Sequence, residues 1–353
     1  MLSVSEALNK IMDNLPAPRI IEVALTEALG YVIAEDAFAD IDLPPFDKSM
    51  MDGYAVRSED LKRTPVELEV IEVVPAGQSP RHDLKPGKAI KIMTGAPIPI
   101  GADAVIMVEN TAGSSARMVN CLKGVRKEEN ISFQGEDLKA NEKVVAAGTT
   151  LMPQHIALLA AVGQARVSVY RKPTIAILST GDELVEVTVK PQAAQIRNSN
   201  TYSLWAQIRQ MGFEVNSLGI VRDEPVKLAA KITEGLKSDI LIMSGGVSVG
   251  DFDIVEDTLR KLGCEIVFER VAVKPGKPLT FCKTAQCRVF GLPGNPVSVF
   301  VATEVFIRPA LAAITGNSRL RNPMVKARLS APYKKTSDRQ QYITAYSTVV
   351  DAG

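Results

Sequence analysis

The apolar positions along the chain fall into two textures. Over residues 173–316, short runs of branched apolar residues alternate with stretches of helical spacing, the pattern of a mainly parallel sheet with helices on both faces. Strands are predicted at 174–178, 214–221, 240–243, 265–273, 279–282 and 288–290. Helices are predicted at 198–211, from Pro225, from Asp253 to near Gly263, and from Pro296 to about Thr315. Residues 39–140 have a different rhythm. Strand-like runs such as 67–74, 89–93 and 104–109 are cut by proline and glycine turns, as in a small, mostly β module.

The flanking pieces, 1–38 and 141–172, carry a helix at 3–15 capped by Ser3 or Ser5, a short helix at 26–29, a helix at 153–161 and a strand at 165–169. They read as one linking domain into which the β-rich module is inserted, with the N-terminal helix able to pack on the sheet domain. The expected fold class is therefore α/β: a doubly wound, mainly parallel sheet domain, a β-rich inserted domain and a small linking domain.

Bulk properties narrow the function. A chain of 353 residues exceeds what one core usually holds. A net charge of +1 argues against general binding to nucleic acid or to an anionic membrane surface. No apolar run approaches the roughly 20 residues needed to cross a bilayer, and the first residues, M-L-S-V-S-E-A-L, resemble a helix start and not a secretory signal. Cys121, Cys264, Cys282 and Cys287 form no C-x-x-C pair, so zinc and disulfide frameworks are both unindicated. Reduced, space-filling thiols fit a cytoplasmic setting.

The candidate chemistry gathers at the ends of the predicted strands. Residues 239–253, D-I-L-I-M-S-G-G-V-S-V-G-D-F-D, run from a buried strand through a glycine-rich loop into a helix. Such a turn presents backbone N–H groups to a ligand, and phosphate is the usual guest. Ser244, Gly245, Gly246 and Ser248 are the candidate phosphate contacts, and Asp251 and Asp253 suggest an accompanying hard cation. A plain strand–helix turn explains this loop equally well when it is taken alone. In an open α/β sheet, however, the carboxyl ends of the strands share one edge. Asp182, Glu183, Asp223, Asp251 and Asp253 are expected to meet Lys274 and Lys277 there. Each acid could be an ordinary helix cap; the concentration of five beside two lysines points to a magnesium-bound phosphate ester. The two histidines, His82 and His155, fall outside this domain, so no Ser/His/Asp or Cys/His set is available. In the β-rich module, Asp52 on an Asp-Gly turn, Thr94 after a strand and Asp137 after Gly135 are further candidates, and turn chemistry explains them too.

Taken in order, F-D-K-S-M-M-D-G-Y-A-V-R, I-M-T-G-A-P, S-T-G-D-E-L, S-G-G-V-S-V-G-D-F-D, V-K-P-G-K-P and G-L-P-G-N-P-V-S resemble the molybdopterin molybdenumtransferase family, of the MoeA and gephyrin E-domain type. The resemblance spans residue 1 to about Gly316, and it implies a further C-terminal β domain of which residues 317–353 would be the start, apparently incomplete. It implies a molybdopterin-binding sheet domain and a homodimer whose substrate cleft lies between the sheet domain of one subunit and the β domain of the other. It also implies the final step of molybdenum cofactor synthesis: molybdate replaces AMP on adenylylated molybdopterin, with Mg2+, the substrate coming from a molybdopterin adenylyltransferase. Carried over by motif, Asp52, Thr94, Glu183 and Asp253 would be catalytic. Asp137, Asp223, Asp251 and Asp253 would hold metal, Lys274 and Lys277 would bind phosphate or molybdate, and Pro293 and Pro296 would shape the adjoining loop. Two positions depart from the family pattern. Arg270 stands where members often carry lysine, and Thr344 stands where the second arginine of a G-R-x-x-F-x-R passage is expected. The alternatives are a nucleotide or nicotinamide-mononucleotide hydrolase of the competence-damage type, which shares the sheet domain, and a non-catalytic scaffold of gephyrin type. The former leaves M-D-G-Y-A-V and M-T-G-A-P unexplained.

Overall fold

The computed structural model describes residues 1–113, 117–246, 254–334 and 337–348. The chain forms two compact units: Met1–Glu35 with Ala146–Ile156 and Arg166–Gly353, and Asp36–Val145 with Ala157–Ala165.

The first unit is built on a six-stranded sheet. Ile175–Thr180 pairs in parallel with Asn216–Val221 on one side and Ile240–Ser244 on the other. Ile240–Ser244 continues in parallel to Arg288–Leu292, and Pro278–Lys283 and Glu265–Arg270 complete the sheet as antiparallel neighbours. Both faces are dry. Ile175, Ile177, Ile240, Ile242 and Phe290 point into one core with the helices Val4–Asp13 and Ser199–Gln210. The intervening Ala176, Leu178, Leu241, Met243 and Val289 point into a second core under Pro225–Gly235 and Ile254–Lys261. This two-sided burial explains the unbroken apolar runs, since period-two strands alternate only where one face meets water. The sheet is thus mixed α/β and mainly parallel, as the alternation predicts.

Local signals explain the helix boundaries. Ser3, not Ser5, caps the first helix through a capping box with Glu6. Asn198 caps Ser199–Gln210 by accepting from Thr201 N–H at 3.2 Å. Pro225 occupies the first turn of its helix, where a missing N–H costs nothing. In the same unit Ile20–Ala24 pairs antiparallel with Arg166–Tyr170.

Several expectations change. The helix at 26–29 is one 3-10 turn, Leu25–Glu27. The strand at 265–273 breaks after Arg270, and Val273–Lys274 leaves the sheet to pair with Gln340–Gln341. The helical run Pro296–Ile314 is continuous over 19 residues with mean hydropathy 1.7, so one stretch is long and apolar enough to cross a membrane. Its residues Val299, Phe306, Ile307, Leu311 and Ile314 are buried in the first core, which accounts for the apolar composition. It contains a π turn at Thr303–Ile307, where Glu304 makes a two-pronged ion pair with Arg308 at 2.7 and 2.8 Å.

The second unit is β-rich. Its six-stranded sheet runs in the order Ala104–Met107, Gly53–Val56, Lys88–Ile92, Val66–Val74, Met118–Cys121, Thr111–Ala112. One pair is parallel and the rest antiparallel. The strand expected at 104–109 gives way after Met107 to a 3-10 turn, Val108–Asn110. Two apolar clusters, one around Tyr54, Leu68 and Ile106 and one around Ile90, Ile92 and Val105, fill it.

Candidate functional site

In the first unit the register brings the carboxyl ends of four parallel strands to one edge: Thr180 lies beside Val221, Ser179 beside Ser244, and Ser244 beside Leu292. Arg270 pairs with Pro278 in the antiparallel part of the sheet, so the 274–277 turn joins its strands at that edge.

Three features lie along this edge. The first is the glycine loop after Ser244. Gly245 has φ +91° and Gly246 φ +65°. A Cβ on Gly245 would overlap the carbonyl oxygen of Thr180, and one on Gly246 would press on the side chains of Val255 and Thr180. Only glycine supplies both the conformation and the clearance. The second is an acidic cluster. The Thr180 hydroxyl donates to Asp223 Oδ1 at 2.6 Å, and the Asp223 N–H donates to Asp182 Oδ1 at 3.3 Å. The third is the turn bearing Lys274, half-buried, and Lys277, exposed.

A small cavity of about 30 Å³ sits at this edge, lined by Thr180, Glu183, Arg197, Asn200, Gly245 and Gly294 among others. Asn200 donates to the Gly294 carbonyl at 2.9 Å, while its own Oδ1 is buried and finds no hydrogen-bond partner among the described residues. Asn295 accepts from the N–H groups of Val297 and Ser298 and so caps the long helix that starts at Pro296.

The expected residues are placed as follows. Gly245, Gly246, Asp223, Glu183, Lys277 and Pro293 belong to loops of this edge, Lys274 ends the short strand Val273–Lys274 beside it, and Pro296 opens a helix there. The Glu183 carboxylate lies against Gly181, where a Cβ would collide with it. Ser244 is buried, and its hydroxyl is bonded to Ser179 Oγ at 2.9 Å within a network that includes Asn198 and Thr201. Ser248, Asp251 and Asp253 lie outside the described residues. Of the acids expected to hold metal together, Asp137 belongs to the β-rich unit. Among the described residues no group of three or more carboxylate, thiolate or imidazole side chains could hold a metal ion. Asp182 and Asp223 remain a pair of hard oxygen donors, a set that suits magnesium when substrate phosphate supplies further ligands.

In the β-rich unit, the antiparallel register that sets Gly53 opposite Ile92 brings Asp52 to Thr94. Asp52 Oδ1 accepts from the Thr94 N–H at 2.7 Å and from its hydroxyl at 2.8 Å. These two bonds hold the carboxyl below its ordinary pKa, so Asp52 is ionised at neutral pH. Gly53 is required beside it, because a Cβ there would overlap the Ile106 carbonyl oxygen. Asp137 is exposed, and its N–H donates to the Leu43 carbonyl at 2.9 Å.

The sequence pattern singles out none of Thr180, Arg197 and Asn200. The N-S-N and S-T-G-D-E strings carried the signal, but only the parallel register shows which side chains turn toward the edge.

Residues 2–163 match the family model described as "MoeA N-terminal region (domain I and II)", and residues 176–313 match "Probable molybdopterin binding domain". The chain is 36% identical over 357 aligned residues to the molybdopterin molybdenumtransferase of Staphylococcus epidermidis, covering all of this chain and 85% of that protein. It is 35% identical to its counterpart from Staphylococcus aureus over the same shares of each chain. Its fold is similar to that of the molybdopterin biosynthesis MoeA protein of Pyrococcus horikoshii, with a TM-score of 0.77 and 33% identity over 90% of this chain and 81% of that one. The match over both halves favours neither the competence-damage hydrolase nor the scaffold. The chain belongs to the molybdopterin molybdenumtransferase family, enzymes of molybdenum cofactor biosynthesis.

Proposed function

We propose that the protein replaces AMP on adenylylated molybdopterin with molybdate, using magnesium at the phosphate. The observation that carries this reading is the sheet edge itself: glycine amides, a pair of carboxylates and a lysine-bearing turn at strand ends along one edge of the same sheet. Cleaving the phosphoanhydride leaves charge on the departing AMP, and cations with positioned N–H donors lower that barrier. Lys274 and Lys277 supply fixed positive charge. Gly245 and Gly246 offer backbone amides to phosphate, or to molybdate, a tetrahedral dianion of similar shape. Asp182 and Asp223 would hold magnesium, with Thr180 orienting Asp223. Bound there, the ion would neutralise phosphate oxygens during departure. Asp251 and Asp253 belong to the same proposal, as do catalytic and metal roles for Glu183 and Asp137. Asp52, ionised and fixed by Thr94, is assigned a second contact with substrate.

The test is AMP release on incubation with adenylylated molybdopterin, molybdate and magnesium. Release that depends on molybdate and falls in Lys277→Ala and Asp223→Asn supports the assignment; no AMP from the folded wild-type chain would sink it. The same proposal includes a homodimer fed by a molybdopterin adenylyltransferase in the cytoplasm. Phe46, Met50 and Met51 flank Lys48–Ser49, which pairs with Ile131–Ser132 next to Phe133; all four are exposed, and such apolar side chains support self-association. A monomeric mass in solution at micromolar concentration would overturn the dimer.

A further inference from the structure

The turn that carries Lys274 and Lys277 leaves the sheet at Arg270 and returns at Pro278, so the sheet grips it only at its ends. Its middle is gripped by a segment far along the chain. The Gln340 N–H donates to the Ala272 carbonyl at 2.9 Å, and the Tyr342 N–H donates to the Lys274 carbonyl at 2.9 Å. Between them the Arg339 guanidinium donates to the Val273 carbonyl at 3.1 Å. Three successive carbonyls leading into the lysine turn are thus held by the segment 339–342. The opposite side of this backbone is held by Leu2, whose carbonyl accepts from the Ala272 N–H at 2.7 Å.

The segment is itself anchored. Tyr342 packs against the first core, which includes Val271 and Val273. Its hydroxyl accepts from Gln340 Nε2 at 2.8 Å, and Gln341 Oε1 accepts from the Tyr333 hydroxyl at 2.8 Å. A strand that merely covered a sheet edge would bond wherever the edge was long. This one is two residues long and ends on Lys274.

We infer that residues 339–342 are a positioning strand for the lysine turn, which holds the Lys274 backbone in the geometry that binds an oxyanion. The inference rests on the assignment of Lys274 and Lys277 to phosphate or molybdate. Its physical basis is preorganisation: a turn ordered before the ligand arrives loses less conformational entropy on binding. An ammonium group displaced by about an ångström also loses much of its effect on a reacting phosphate. Arg339, Gln340 and Tyr342 are therefore positioning residues that act through the turn.

The test uses the full chain with inorganic molybdate as the probe, reading calorimetric affinity together with hydrogen exchange across 271–278. Gln340→Pro deletes the N–H given to Ala272, and Arg339→Ala deletes the donor to Val273. Each is expected to speed exchange across 271–278 and to weaken molybdate binding about tenfold, the scale of one lost hydrogen bond. Arg339→Lys, which keeps a donor, is expected to retain most of the affinity. If Gln340→Pro does not fold, Arg339→Ala decides by the same two measurements. Unchanged exchange in a folded variant, or faster exchange with unaltered affinity, overturns the positioning role. Lys277→Ala separates the two layers: unchanged molybdate affinity there removes the oxyanion assignment and the role built on it, while exchange still reports the clamp.

Discussion

Thr180 and Asp223 stand at the ends of neighbouring parallel strands, and the hydroxyl of the first donates to the carboxylate of the second at 2.6 Å. The bond ties the strand-end loop 181–183 to the loop after Val221, and it sets which way one candidate metal ligand points. Thr180→Val keeps the shape and deletes the donor. We expect a stability loss of about 1–2 kcal/mol, because Asp223 keeps partial access to water. We also expect AMP release to need more magnesium for half-maximal rate. Asp223→Asn should cost on the order of 10²-fold in rate with little change in melting temperature. Equal magnesium requirements in wild type and Thr180→Val would refute the orienting role.

Gly245→Ala tests the glycine loop by conformation and space at once. At φ +91°, with the Thr180 carbonyl where a Cβ would go, the loop must shift or the strand end must open. A destabilisation of about 2 kcal/mol or more is expected from chemical denaturation, with phosphate or molybdate affinity falling in step. Gly263→Ala is the matched control, also at positive φ but with open space around it, and should cost less.

Asp239, at the start of the central strand, predicts an acid-side signature. Burial raises its pKa, but Arg171 at 2.6 Å and the Thr174 N–H and hydroxyl at 2.7 Å hold it below the ordinary carboxylate range overall. A depressed folded pKa means the stabilisation is fully present above the unfolded value of about 3.9 and is lost as pH falls through the folded value. Asp239→Asn should therefore cost roughly 2 kcal/mol at pH 7. The gap between variant and wild type should close below about pH 4. A gap independent of pH would show that the charge contributes nothing.

Asp52 tests the β-rich unit by itself. Its carboxyl is exposed and lowered in pKa by Thr94, so it is an ionised acceptor and not a proton donor at neutral pH. Asp52→Asn should leave the melting temperature near wild type while slowing AMP release on the order of 10²-fold. The wild-type rate should show no limb from Asp52 above about pH 4, since the group ionises below that range. A wild-type rate in Asp52→Asn would leave the Asp52–Thr94 pair a structural turn.

Much of the protein follows from local rules. Apolar runs such as I-L-I-M at 240–243 determined buried parallel strands, because only a strand covered on both faces loses its alternation. Ser3, Asn198 and Pro225 determined helix starts through backbone groups a few residues away. The glycine loop, the Asp52 turn and the lysine turn were visible as strings, because glycine, acid and lysine at strand ends carry their chemistry in their identity. What the sequence could not decide is partnership across long separations. That Thr180 meets Asp223, that Ser244 turns inward to Ser179, and that residues 339–342 grip the backbone of Lys274 all depend on strand register and order. The break at Arg270 has the same origin. A continuous apolar pattern reads as one strand, while two competing neighbours, Pro278–Lys283 and Gln340–Gln341, divide its hydrogen bonds between them. Local propensity acts over a few residues, and register is set by the packing of the whole unit.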